Sequence, residues 1–83
     1  MGKVILYGEL ARKAGKREIG VTTKGRTPLE ILREVAEKYD LVDMIFIDDR
    51  VRSSYLILVD GRDFLTLGLL NQKLMEEKEI RVV

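Results

Sequence analysis

The first apolar segment of the chain, residues 3–8, predicts a β-strand. It reads Lys-Val-Ile-Leu-Tyr-Gly, an unbroken run typical of central strands that are at least partly covered on both faces. Because successive side chains of a strand point to opposite faces, Val4 and Leu6 share one face, while Ile5 and Tyr7 share the other.

A short helix and a second strand follow this segment. Residues 9–14 have helical character and end at Gly15. Residues 16–22 return to a strand pattern, with Ile19 and Val21 on one face. The two strands are therefore expected to form a hairpin-like pair with a wide connection.

The clearest local signal is the start of a helix at Thr27. Thr27 can cap backbone N–H groups, Pro28 suits the first helical position, and Glu30 completes a capping box. The apolar residues that follow lie on one face, so the helix is predicted to pack by that face. They are Leu29, Leu32, Val35, Ala36 and Tyr39.

The last third of the chain contains further β signals. Residues 55–59 form the longest continuous apolar run, and it stops at Asp60-Gly61, which indicates a tight hairpin turn. Residues 62–65 can form a short return strand, and residues 78–83 are typical of a last strand.

The order strand, strand, capped helix, strand, short strand, strand predicts an α+β fold of the β-grasp (ubiquitin-like) class. This fold has a mixed sheet of four to five strands on one main helix, and residues 1–83 are expected to form a single domain around one core. If the first and last strands pair in parallel, the helix supplies the crossover that such a pair requires. The pattern leaves open the conformation of the apolar segment 42–47, which precedes a polar turn at 48–50.

The composition argues against an autonomous enzyme. The chain contains neither Cys nor His, which removes disulfides, the usual zinc ligands and the commonest pairs of nucleophile and base. Acidic residues occur at 48–49 and within 76–79, but without the ligand spacing of a calcium loop. We therefore expect no catalytic residue, no cofactor and no metal site, and we interpret the chain as a binding or carrier protein.

The net charge is balanced overall but uneven along the chain. Fifteen basic and 14 acidic residues give +1, yet residues 1–26 carry +5 and residues 27–83 carry −4. The basic cluster at 12–17 could contact phosphates, but few aromatic residues lie near it for base stacking, which disfavours nucleic acid as a partner. No apolar stretch approaches the length of about 18 residues that spans a membrane. We therefore expect a cytoplasmic protein with no membrane partner.

Four segments together resemble a known family over essentially the whole chain. Residues 3–16 resemble its first strand, short helix and Ala-Gly-Lys turn, and residues 27–32 resemble its helix entry. Residues 57–62 resemble the end of a strand in Asn/Asp-Gly-Arg, and residues 74–80 resemble the turn before the last strand. The family is the MoaD/ThiS-like group of ubiquitin-fold proteins, which includes the molybdopterin synthase small subunit and the thiamine sulfur carrier. None of these segments is a catalytic signature.

The sequence departs from the family where the sulfur chemistry would occur. Family members end in a flexible Gly-Gly tail, whose carboxylate is adenylated and converted to a thiocarboxylate that donates sulfur. The β-branched Val82 and Val83 do not match that thin tail, which enters a narrow tunnel of the partner. Residues 75–78 also lack the family's turn glycine. We therefore expect the chain as written to be a protein-binding subunit rather than a competent sulfur carrier.

The resemblance also implies a docking surface. Tyr7, Phe64 and Val83 match the hydrophobic sheet surface with which the family binds its adenylating enzyme and the MoaE-like large synthase subunit. Arg62, beside the predicted hairpin turn, is a fourth candidate for partner contact. Strand alternation predicts that Ile5 and Tyr7 are exposed on the face away from the helix. Alternatively, self-association or the apolar segment after the helix covers that face.

Three functions follow from these observations. The first is a MoaD/ThiS-like protein of the sulfur-carrier or molybdopterin-synthase setting, which binds a MoaE-like subunit or an adenylating activating enzyme. The second is a general ubiquitin-like interaction module without sulfur chemistry. The third is a β-grasp RNA-binding domain that uses the basic first hairpin. The sequence does not decide the partner, the pathway or the oligomeric state.

Overall fold

A five-stranded mixed sheet packs one face against the main helix in the computed structural model, which describes residues 1–83. The predicted β-grasp fold is confirmed. The strands lie in the order β2-β1-β7-β5-β6, and β3 and β4 form a separate two-stranded sheet. None of the three helices is both long and apolar enough to cross a bilayer. The elements are β1 (Gly2–Leu6), α1 (Gly8–Ala14), β2 (Glu18–Val21), α2 (Pro28–Lys38), α3 (Val42–Ile45), β3 (Phe46–Ile47), β4 (Arg50–Val51), β5 (Ile57–Val59), β6 (Arg62–Asp63) and β7 (Glu79–Val82).

The first and last strands pair in parallel at the centre of the sheet, as predicted. Val4 lies opposite Ile80, and Leu6 lies opposite Val82, and all four side chains are fully buried. The other neighbouring strands of this sheet are antiparallel. The segment between β1 and β7 includes α2, which covers the buried face and provides the crossover that a parallel pair needs.

Helix α2 begins at the predicted capping box. The Thr27 hydroxyl accepts a hydrogen bond from the Glu30 amide at 3.2 Å, and the Glu30 carboxylate accepts one from the Thr27 amide at 2.7 Å. The predicted apolar stripe is buried at its centre and half-buried at its two ends. Ile31, which the stripe did not include, is also fully buried. Because α3 packs against α2, the covered face of the helix is wider than a single stripe.

Residues 42–47, whose conformation the sequence pattern did not predict, fold into α3 and β3. Within this segment, Ile45 and Phe46 join the 18-residue hydrophobic core on the helix side of the sheet. β3 then pairs with β4 across the predicted polar turn, where Asp48 has a left-handed φ of 56°. This segment therefore extends the core and does not cover the opposite face of the sheet.

The predicted hairpin at Asp60-Gly61 joins β5 to β6. Asp60 and Gly61 have φ values of 54° and 77°, which are the two positive angles of a type I′ turn. The regular strand β5 starts at Ile57 rather than at residue 55. Leu56 nevertheless extends the pairing, because it exchanges two backbone hydrogen bonds of 2.9 Å with Val83.

The carboxylate of Glu77 connects three distant parts of the backbone. It accepts hydrogen bonds from the amides of Thr23 at 3.0 Å, Lys24 at 2.9 Å and Gly2 at 2.6 Å. These amides lower the pKa of Glu77, with that of Thr23 as the largest cause. A Cβ atom at Gly2 would lie 2.6 Å from the carbonyl oxygen of Lys78, so only glycine fits there. No residue of this turn has a positive φ, so the turn does not need the glycine that the family has.

We expect Leu32→Ala to lower the free energy of unfolding by about 2 to 5 kcal/mol, because Leu32 is fully buried against the sheet and its truncation leaves a cavity. Urea melts followed by circular dichroism measure the change. Glu37→Ala, at an exposed position of the same helix, should change the free energy of unfolding little. Equal losses in the two variants would contradict the assigned core face.

We expect Glu77→Ala to lower the thermal midpoint at neutral pH more than Glu76→Ala, which removes an exposed carboxylate from the same turn. The folded pKa of Glu77 lies below its ordinary value of 4.5, so the charged carboxylate stabilises the fold above that pH. This contribution is lost as the pH falls through the lower folded value. The thermal midpoints of wild type and Glu77→Ala should therefore converge in acid, and a constant difference would contradict stabilisation by the Glu77 carboxylate.

Candidate docking surface

The face of the five-stranded sheet that points away from α2 is the open face. The core residues of β1, β7 and β5 point toward the helix, so the alternate residues point the other way. Strand pairing then decides which of them are neighbours. The residues of the open face are Lys3, Ile5, Tyr7, Glu18, Gly20, Leu56, Leu58, Asp63, Glu79, Arg81 and Val83.

One row of this face consists of Tyr7, Val83 and Leu56. Tyr7 and Val83 directly follow the paired residues Leu6 and Val82, and Val83 is hydrogen-bonded to Leu56 on its other side. Neighbouring strands are about 4.8 Å apart, so the row is about 10 Å wide. Tyr7 is half-buried, whereas Val83 and Leu56 are 48% and 47% exposed. The row is therefore an accessible apolar strip at one end of the open face.

The next row consists of Ile5, Arg81 and Leu58, which lie directly opposite one another across three strands. The Arg81 guanidinium donates hydrogen bonds to the Tyr7 hydroxyl and, at 3.1 Å, to the Glu79 carboxylate. The prediction that Ile5 is exposed is wrong, because only 5% of its surface is accessible. Long charged side chains on the neighbouring strands, such as Arg81, can lay their aliphatic stems over an apolar neighbour.

The ring of Tyr7 lies between two cationic side chains. The guanidinium carbon of Arg17 is 5.2 Å from the ring centroid, within the range of a cation–π interaction. Arg81 holds the hydroxyl at the edge of the same ring. Tyr7, Leu56, Leu58, Arg81 and Val83 are called the Tyr7 surface below. It has a preoriented aromatic ring, exposed aliphatic side chains and one central guanidinium.

The other half of the open face is polar. Lys3 and Glu18 form an ion pair of 2.7 Å across β1 and β2. Hydrogen bonding and charge attraction within this pair raise the pKa of Lys3 and lower that of Glu18. The accessible apolar part of the open face is therefore confined to the Tyr7 surface.

Phe64 and Arg62, two of the four predicted contact residues, do not lie on this surface. The tight turn pairs Leu58 with Asp63 and brings the Phe64 amide to the carbonyl of Ile57, at 2.8 Å. Because Ile57 points into the core, Phe64 lies on the helix side of the sheet and packs against the core. Arg62 is exposed at the sheet edge, opposite another core residue. The predicted grouping of Phe64 with Tyr7 and Val83 is therefore wrong.

Three members of the Tyr7 surface were not predicted from the sequence, namely Leu56, Leu58 and Arg81. The two leucines alternate with the core-facing residues of the 55–59 run, so strand alternation could have identified them. Arg81 alternates with the buried residues of β7 in the same way. Its contact with Tyr7 depends on the pairing of β1 with β7, and no local pattern shows that contact.

The basic cluster at 12–17 does not form a continuous row of unpaired cations. Arg12 forms an ion pair with Glu9. Lys16 lies 5.9 Å from the ring centroid of Tyr39. Nowhere in the chain do three or more acidic side chains converge in a way that could hold a metal ion.

Comparison with solved structures identifies the family. Urm1 of Sulfolobus solfataricus is 30% identical, with 96% of this chain and 95% of that chain covered and a TM-score of 0.71. Small archaeal modifier protein 1 (SAMP1) of Methanosarcina acetivorans is 26% identical, with 96% and 87% covered and a TM-score of 0.80. SAMP1 of Haloferax volcanii is 20% identical, with 98% and 90% covered and a TM-score of 0.76, a likeness of fold.

No protein-family model matches the sequence, and neither does any curated protein. The likeness to Urm1 nevertheless extends over nearly the full length of both chains. The order of elements, the mixed sheet and the strand pairing agree with the ubiquitin fold of these small modifiers. The chain therefore belongs to the Urm1-like and SAMP1-like proteins of the ubiquitin fold, which are related to the MoaD/ThiS-like group that its sequence resembles.

Proposed function

We propose that this protein is a ubiquitin-like binding subunit that docks onto a protein partner through the Tyr7 surface. The partner would be an adenylating activating enzyme or a MoaE-like large subunit, as the resemblance to the MoaD/ThiS-like group implies. The observation that carries the proposal is the row of Tyr7, Val83 and Leu56, in which two aliphatic side chains are about half exposed beside a fixed aromatic ring.

The arrangement of this surface supports protein binding. Stable interfaces have an apolar centre with aromatic and Arg anchors, surrounded by polar residues that stay accessible to water. Tyr7 and Arg81 would be the anchors, and they already hold each other in position. The Lys3–Glu18 pair would lie at the polar rim. Because the anchors are preoriented, little side-chain entropy would be lost on binding.

The names of the similar structures support only part of this function. Urm1 and SAMP1 are small modifiers, and modifiers act through protein partners. Sulfur transfer and molybdopterin synthesis enter only through the resemblance, and a cytoplasmic location stays a prediction. We also infer that the domain has no turnover of its own, since it contains no His or Cys and no group of side chains with a catalytic arrangement on the Tyr7 surface.

We expect Tyr7→Asp to weaken binding to an adenylating or MoaE-like partner by at least about 2 kcal/mol, because it removes an anchor and buries an unpaired charge. Leu56→Asp should weaken binding similarly. Calorimetric titration of the partner with each variant measures the loss.

Met75→Asp is the matched control, because Met75 is 80% exposed and lies outside the open face. It should leave the affinity for this partner unchanged. Equal affinity for wild type and Tyr7→Asp, with both proteins folded, would refute docking through the Tyr7 surface.

We expect the 83-residue polypeptide to bind an activating enzyme without becoming a thiocarboxylate. Val82 is fully buried in β7, and the backbone of Val83 is hydrogen-bonded to Leu56 through both its amide and its carbonyl, so residue 83 of this polypeptide is held at the sheet. Intact mass spectrometry after incubation with the enzyme, ATP and a sulfur donor should show no gain of about 16 Da, the difference between sulfur and oxygen. A family member that ends in Gly-Gly is the positive control. A thiocarboxylate at Val83 would contradict the proposal.

A further inference from the structure

Arg62 and Phe64 lie at a cleft on the other side of the sheet from the Tyr7 surface. The cleft has a volume of about 240 Å³ and lies between β6 and the segment that leads to β7. Small-molecule sites usually measure about 300 to 1,000 Å³, so the cleft suits a single side chain of a larger partner better. Its lining combines the apolar side chains of Phe64, Leu69, Leu74 and Met75 with charged side chains that include Arg62 and Lys73.

One part of the apolar lining of this cleft is anchored in the core, and another part is exposed to solvent. Leu74 is 6% exposed and belongs to the core, and Phe64 is half-buried against that core. Leu69 is bonded through its amide to the Phe64 carbonyl at 2.9 Å, which holds the two residues together. Met75, in contrast, is 80% exposed. An apolar side chain entering the cleft would therefore contact a rigid floor and a flexible methionine wall.

The rim of the cleft has an excess of positive charge. Lys78 is neutralised by Asp60 at 2.8 Å and by Glu76 at 3.5 Å. Arg62 and Lys73 have no carboxylate within 4 Å, since neither forms an ion pair. Two unpaired cations thus border the apolar floor. A partner with a carboxylate on each side of an apolar side chain would satisfy both.

We propose that this cleft, the Arg62 cleft, binds an acidic protein segment that inserts one apolar side chain between two carboxylates. The inference goes beyond the function proposed above, because it concerns a second partner on the opposite side of the sheet. The structure favours a peptide over nucleic acid, since a nucleic acid needs a continuous series of cations for its phosphates. Here the lining combines two unpaired cations with Glu76 and four apolar side chains.

The test uses the whole 83-residue protein and the N-acetylated, C-amidated peptide Asp-Asp-Leu-Phe-Asp-Asp as the probe. Titration of the ¹⁵N-labelled protein should shift the amides of residues 62–64 and 73–76 and leave Tyr7 and Val83 unmoved. The double variant Arg62→Glu and Lys73→Glu should bind about tenfold more weakly or worse, because it reverses both rim charges. Met75→Glu should also weaken binding, and because the Met75 side chain is 80% exposed, the variant should stay folded.

Two controls separate the cleft from general charge attraction. Lys16→Glu removes an exposed cation elsewhere, and Tyr7→Asp changes the open face; each should keep the wild-type affinity for the peptide. The peptide Lys-Lys-Leu-Phe-Lys-Lys should not bind. The proposal is overturned if the acidic peptide shifts no cleft amides or binds the double variant equally well. It is also overturned if a short oligonucleotide displaces the peptide from the cleft, or if the cleft amides shift with protein concentration alone, which would indicate a second copy.

Discussion

The parallel pairing of β1 with β7 is the contact on which the rest of this structure depends. It brings the first and last strands of the chain together at the centre of the sheet, where Val4, Leu6, Ile80 and Val82 are fully buried. A parallel pair cannot be closed by a tight turn, so the chain between these two strands must cross from one end of the sheet back to the other. Helix α2 uses that path to cover the buried face. The fold is therefore maintained by contacts between residues that are distant in sequence.

The same pairing determines the chemistry of the open face. It aligns Tyr7 with Val83 and Ile5 with Arg81, so an aromatic ring from one end of the chain meets an aliphatic side chain and a guanidinium from the other. Arg81 orients the Tyr7 ring through its hydrogen bond to the hydroxyl. It also lies directly beside Ile5, which is buried. The accessible apolar area is consequently limited to one end of the face. A confined apolar surface results, in place of a broad hydrophobic sheet that would favour aggregation.

Glu77 shows how a sequence can depart from its family without losing the fold. Where the related turn contains glycine, this chain has a carboxylate that gathers the amides of Gly2, Thr23 and Lys24. The turn contains no left-handed residue and so does not need glycine. The carboxylate also secures the start of β1 beside β7, the central pair of the sheet. Hydrogen bonds to the Glu77 carboxylate therefore hold this turn in place.

Features that depend on a few neighbouring residues could be predicted from the sequence. The capping box of Thr27 and Glu30, the type I′ turn at Asp60-Gly61 and the alternation of β1 each follow from local geometry. The two-residue turn also sets the register of β5 and β6, which places Phe64 opposite Ile57 on the core side. The family resemblance had instead suggested that Phe64 lies with Tyr7 and Val83. The folded chain was needed to establish the burial of Ile5, the conformation of 42–47 and the contact of Arg81 with Tyr7, 74 residues away. These features depend on which strands become neighbours, and a local pattern of apolar residues carries no information about a partner so distant along the chain.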